Sequence, residues 1–172
     1  MTDQILRYSQ SFHSTSTNKD MSNITIASVP RITREKLSTL VRSKSPSLAV
    51  IDVRDSDYIG GHIAGCQNVP VHTHDYKMPE LVRTLKDKET VVFHCALSQQ
   101  RGPTSALRYL RERERQVGGK VEKANEGAGD APEVKGQTVY ILEGGFVKWQ
   151  ELYGEDKDLT EDYQKDIWEF GY

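Results

Sequence analysis

Cys95 and Arg101, six positions apart, are the residues of this 172-residue chain whose types and spacing promise chemistry. They lie in the run His94-Cys95-Ala96-Leu97-Ser98-Gln99-Gln100-Arg101-Gly102-Pro103. The intervening Ala96, Leu97, Ser98, Gln99 and Gln100 are enough to wrap a loop with its backbone N–H groups pointing inward. Together with a guanidinium and a helix N-terminus, such donors form a pocket for a tetrahedral oxyanion. A thiol in that field ionises more readily than the ~8.5 of a free cysteine. A thiolate at the base of the cradle attacks phosphorus, arsenic or sulfane sulfur. The arginine then stabilises charge on the equatorial oxygens in the transition state.

The loop needs a strand before it and a helix after it, and the sequence supplies both. Residues 90–95 (TVVFHC) read as a strand buried on both faces, and a helix is expected from about Gly102 to Arg115. Pro103 suits its first turn, where the missing N–H costs nothing. Two more runs, SLAVIDV (47–53) and TVYIL (138–142), read as central strands, with a brief one at 67–70. Thr33 caps a helix through Arg42 that sets Leu37, Leu40 and Val41 on one face. A further helix is expected to start near Pro79 and carry Leu81, Val82 and Leu85. Residues 55–65 form a loop punctuated by Gly60, Gly61 and Gly65, and Gly144-Gly145 turns the chain into the short helix FVKWQELYG. Strands alternating with helices imply an α/β fold with a mainly parallel sheet. Its binding crevice lies at the carboxyl ends of the strands, where the Cys95 loop falls.

Composition narrows the remainder. Lys and Arg number 23 against 25 Asp and Glu, a balance that gives no electrostatic case for nucleic-acid binding. No apolar run approaches the roughly 18–20 residues of a membrane helix, so no membrane partner is expected. Two cysteines cannot build a disulfide scaffold, and no four-ligand zinc pattern can be assembled from Cys66, Cys95 and the histidines. A reducing compartment is the default: the cytoplasm, with the nucleus as an extension. Residues 1–30 read as a flexible Ser/Thr-rich arm, the rival being an organelle-targeting segment that Asp3 argues against. Residues 31–155 then form the catalytic domain, with 116–136 a mobile surface insertion poor in large apolar side chains. The acidic tail 156–172 carries Tyr163, Ile167, Trp168 and Phe170 and is expected to dock on the body.

HCALSQQRGP resembles the signature loop of the cell-division-cycle dual-specificity phosphatases and of the rhodanese-type arsenate reductases of eukaryotes. IDVRDSDYIGGHIAG (51–65) is similar to the rhodanese-homology motif that precedes the active strand, and LEGGFVKW (142–149) to the motif that closes the domain. The resemblance spans roughly residues 31–154 and extends to very short fungal stand-alone members. It implies a five-stranded parallel sheet flanked by helices on both faces. It also implies a cysteine-based phosphatase in which Cys95 forms a phosphocysteine while Arg101 and the loop bind the oxyanion of a phosphoprotein or small-molecule substrate. No metal or organic cofactor is implied. The alternative is an arsenate reductase using glutathione and glutaredoxin. Sulfurtransferase relatives have a loop one residue shorter, which disfavours that activity. The phosphatases commonly carry glutamates inside the loop where this chain has Ala96 and Gln100, neither of which donates a proton. That departure also keeps a non-catalytic oxyanion- or partner-binding module in view.

Supporting roles are expected around the loop. His94 orients the loop through a backbone hydrogen bond, and Ser98 bonds the thiolate, assists breakdown of the intermediate or satisfies loop backbone. Asp52 and Arg54 tie loops together by ion pairing, while Asp55 and Asp57 read as solvated or capping residues. In phosphatases with a back-door cysteine the resolving thiol belongs at the position of Val53, so Cys66 reads as a small core residue. His72, His74 and Asp75 read as surface loop rather than metal ligands, and RYLRERER (108–115) as a solvated helix face.

Overall fold

In the computed structural model, residues 24–124 and 136–170 are described. In chain order they form β1 (Arg31–Ile32), α1 (Arg34–Arg42), β2 (Leu48–Asp52), β3 (His62–Ile63), β4 (Gln67–Asn68), α2 (His74–Thr84) and β5 (Thr90–His94). There follow α3 (Arg101–Ala124), β6 (Thr138–Leu142), α4 (Gly145–Tyr153), β7 (Thr160–Glu161) and α5 (Lys165–Glu169). Five strands pair in the order β1-β6-β5-β2-β4, all parallel. β5 is therefore central, and its end at His94 lies opposite Asp52 at the end of β2.

Alternate side chains explain the layers. Ile51, Val91, Phe93, Val139 and Ile141 pack on one face against Met78, Leu81 and Val82 of α2 and Ala106 and Tyr109 of α3. Val50, Val92 and Leu142 pack on the other against Leu37 and Val41 of α1 and Phe146 and Trp149 of α4. With both faces covered, the central strands read as unbroken apolar runs. This is the α/β sheet with helices on both faces that the motifs implied. Thr33 caps α1 as expected, its hydroxyl accepting from Lys36 N–H at 3.3 Å.

Several boundaries differ from the expectation. α2 begins at His74, and Pro79 sits inside it. His74, Met78, Leu81 and Val82 are all buried, a helical stripe whose burial outweighs the one backbone bond that proline removes. His74 is thus no surface residue: its Nε2 donates to Val69 O at 3.0 Å. α3 continues well past Arg115, so residues 116–124 of the expected insertion are helical, while 125–135 lie outside the described residues. Gln, Glu, Lys and Ala in 116–124 all favour helix. Residues 1–23 of the expected arm also lie outside the described residues, but the end of the arm is ordered: Ile26–Ser28 form a 3-10 turn and Val29 is buried in the core.

β3 and β7, absent from the expected elements, form a two-residue antiparallel pair that joins the 55–65 loop to the tail. Beyond it, Trp168 donates to Gly60 O at 2.8 Å and meets Phe146 edge-on at 5.4 Å. Phe170, by contrast, is 85% exposed and does not pack on the body.

Candidate active site

At the carboxyl end of β5 the chain leaves the sheet through residues 95–100 and re-enters regular structure at Arg101, the first residue of α3. Cys95 is buried at the base of this loop, and its Sγ accepts a hydrogen bond from Ser98 N–H at 3.2 Å. To make it, Ser98 adopts a left-handed backbone, φ 52°, and buries its side chain. Ala96 is buried too, while Leu97, Gln99 and Gln100 are exposed along the outer rim.

α4 fixes the loop from behind. Phe146 N–H donates to Cys95 O at 3.0 Å and Val147 N–H to Ala96 O at 2.9 Å, so the first amides of α4 hold both carbonyls. Gly145 makes this approach possible: with φ at +59°, a Cβ would stand 2.4 Å from Ala96 O and 2.5 Å from Cys95 O. Gly145→Ala must strain its backbone and push the loop off α4, at a cost of roughly 2–4 kcal/mol. Chemical denaturation should register that loss together with weakened oxyanion binding. Unchanged stability and binding would contradict the role given to α4.

Beneath the loop, Asp52 and Arg54 form a fully buried ion pair. Arg54 Nε lies 3.1 and 3.0 Å from the two carboxylate oxygens, and Nη2 donates to Asp52 Oδ2 at 2.7 Å. The remaining donors reach Gly61 O at 2.8 Å and Ile59 O at 3.3 Å, so this guanidinium shapes the 55–61 loop. Tyr58 and Phe146 sandwich it, with ring centroids 4.9 and 4.4 Å from Cζ. His94 Nδ1 lies 3.2 Å from Cys95 O, and Nε2 lies 3.6 Å from Asp52 Oδ2.

Burial pushes the His94 pKa below its ordinary value despite the nearby Asp52 carboxylate, and burial lowers His74 likewise. Both are neutral in the fold, whereas the unfolded chain takes up their protons near ~6.5. Their contribution to stability is therefore complete above that pH and is lost as pH falls below it. The melting temperature should drop between about pH 7.5 and pH 5. A constant or rising one would contradict buried neutral histidines.

Arg101 is gripped from the 55–65 loop. Nη1 donates to Asp57 Oδ1 at 2.7 Å, Nη2 to Asp57 Oδ2, and Nη1 also reaches Asp55 Oδ2 at 3.4 Å. Asp57 first, with Asp55 and the Cys95 sulfur adding to it, raises the Arg101 pKa against the opposing effect of burial. Burial pulls Asp55 upward, but hydrogen bonds from the His72 ring and backbone and from Arg101 prevail and hold it below the carboxylate range. The expectation that Asp55 and Asp57 are merely solvated or capping residues is therefore corrected. The usable signal was the adjacency of β2 and β5, which sets the loops after them side by side.

The structure thus brings together Cys95, Ser98, Arg101, His94, Asp52 and Arg54. Cys66 does not join them. It packs with the cluster on the α1/α4 face, whereas Cys95 belongs to the opposite one. Burial, with Asp52 adding to it, pushes the Cys66 thiol up to about 12. Tyr58 stacks on His62 at 5.3 Å, with its hydroxyl 3.9 Å from Cys66 Sγ. His72 Nδ1 is 2.9 Å from Asp55 Oδ1, and among the described residues no group of His, Cys, Asp and Glu is arranged to hold a metal.

The model of the Rhodanese-like domain matches residues 33–152. The chain belongs to the rhodanese-like family. This rhodanese-like chain is 35% identical over 130 residues to the CDC25-like phosphatase YCH1 of Saccharomyces cerevisiae, covering 69% of this chain and 76% of that protein. It is 39% identical over 132 residues to Arsenate reductase 2.1 of Oryza sativa subsp. japonica, covering 74% and 71% respectively. The solved structure of Ygr203w, a yeast protein tyrosine phosphatase of the rhodanese family, superposes with a TM-score of 0.59 at 30% identity, over 84% of this chain and 99% of that one. The branch implied by the three sequence motifs is the branch found.

Proposed function

We propose that this rhodanese-like chain is a cysteine-based phosphatase of the protein-tyrosine or dual-specificity type. The observation that carries the reading is the Cys95 loop itself. Its sulfur accepts an amide hydrogen bond, its carbonyls are tied to α4, and an arginine opens the helix that follows. Cys95 Sγ attacks phosphorus to form a phosphocysteine, while Arg101 and the loop amides of residues 96–100 hold the oxyanion. Water then hydrolyses the intermediate. The substrate is a phosphoprotein or a small phosphate ester, and no metal or organic cofactor takes part. The nucleophile must stay reduced, which suits the cytoplasm or nucleus.

Arsenate reduction is the second reading. It is favoured by the absence of carboxylates at Ala96 and Gln100 and by the similarity to the rice protein, and it would draw electrons from glutathione with glutaredoxin as partner. Hydrolysis of 3-O-methylfluorescein phosphate, set against glutathione-coupled arsenate reduction, separates the two. Phosphate turnover supports the phosphatase. Arsenate reduction without it overturns that reading in favour of the reductase.

A further inference from the structure

A phosphocysteine mechanism must deliver a proton to the departing oxygen, and the loop offers no acid at Ala96 or Gln100. The groups facing Arg101 from the neighbouring loop are therefore the place to look. Asp55 is engaged on its other oxygen by His72 N–H at 3.3 Å and the His72 ring at 2.9 Å, and it stays ionised. His72 lies on the outer side of Asp55, with that carboxylate between it and the guanidinium, and its side chain is 72% exposed.

Asp57 is placed differently. Both of its oxygens meet the terminal nitrogens of Arg101, the donors an oxyanion on Cys95 would take. Asp55 N–H steadies Asp57 Oδ1 at 3.0 Å, and Arg54 Nη1 lies 3.5 Å from the Asp57 carbonyl, so the side chain is held at the edge of the cradle. The charged groups around it include Arg101 and Arg54, and the Asp55 carboxylate with His72 behind it. A dianionic phosphate ester brought between Cys95 and Arg101 sets two negative charges against these carboxylates and competes for the nitrogens that Asp57 grips. Like charges so close disfavour keeping every carboxylate ionised.

Resting on the phosphatase reading, we propose that Asp57 takes up a proton as the oxyanion binds and passes it to the leaving-group oxygen. In the first step the S–P bond forms as the P–O bond breaks, the electron pair departs with the leaving oxygen, and that oxygen takes the Asp57 proton. In the second, the Asp57 carboxylate removes a proton from the attacking water, the S–P bond breaks, and Cys95 returns as thiolate with inorganic phosphate released. Asp57 is then the general acid and base that the loop lacks.

The test measures wild type, Asp57→Asn and Asp57→Glu on two esters. Phenyl phosphate has a leaving group that needs a proton, and 3-O-methylfluorescein phosphate has a more acidic one that departs without it. Asp57→Asn should lose on the order of 10²–10⁴-fold on phenyl phosphate and far less on the fluorescein ester. Asp57→Glu should restore part of the loss. The wild-type fall in kcat on phenyl phosphate at high pH should disappear in Asp57→Asn. Equal losses on both esters would overturn the proposal, because a residue that only positions Arg101 affects both alike. Equal retention on both would also overturn it. If wild type hydrolyses neither ester, the phosphatase reading fails and this proposal falls with it.

Discussion

Cys95→Ser lowers aryl phosphate turnover by on the order of 10⁴–10⁶-fold, as expected when a covalent nucleophile is removed from an otherwise intact site. The loop should survive the change. Cys95 is only 4% exposed, serine is no larger, and its hydroxyl can accept the same amide bond from Ser98. The α4 amides still hold the Cys95 and Ala96 carbonyls, because those contacts involve backbone alone. A serine hydroxyl at neutral pH is un-ionised and attacks phosphorus far more slowly than a thiolate. The variant should therefore lose turnover while still binding inorganic phosphate, which steady-state rates and calorimetric titration would measure side by side. Retention of activity within about tenfold would remove Cys95 from the chemistry. A binding module would keep its cellular phenotype in this variant, and an enzyme would lose it.

Arg54→Met carries the largest expected loss of stability, about 3–5 kcal/mol, because it leaves a buried carboxylate without its partner. Neither side chain of the Asp52–Arg54 pair is exposed at all. Removing the guanidinium also strips the donor from Gly61 O and loosens the loop that presents Asp55 and Asp57 to Arg101. Loss of activity should accompany the loss of stability. The double variant Asp52→Asn/Arg54→Met should recover part of the stability, since the unpaired charge is gone. Urea denaturation of both variants checks this, and a single-variant loss below about 1 kcal/mol would contradict a tightly coupled buried pair.

The central strands were legible because parallel strands covered on both faces carry continuous apolar runs, as in Val91-Val92-Phe93. The Cys95 loop was legible because strand, loop and helix follow one another in sequence. The pairing of His62 with Glu161 was not, since a two-residue strand has no periodicity to read and its partner lies far along the chain. The start of α2 was obscured by Pro79, whose usual place in a first turn gave way to the buried stripe that begins at His74. Gly144-Gly145 announced a turn. What it could not announce was that the second glycine lets α4 reach the carbonyls of Cys95 and Ala96. The grip of Asp57 on Arg101 joins two loops that become neighbours only once β2 and β5 pair.

The proposed mechanism requires that Cys95 itself carry the phosphoryl group during turnover. Quenching the protein with denaturant at alkaline pH while it hydrolyses 3-O-methylfluorescein phosphate, and weighing the peptide that contains Cys95, tests this directly. The peptide should be heavier by one phosphoryl group on Cys95, and this species should be absent from Cys95→Ser. Sustained turnover with Cys95 always unmodified would contradict it.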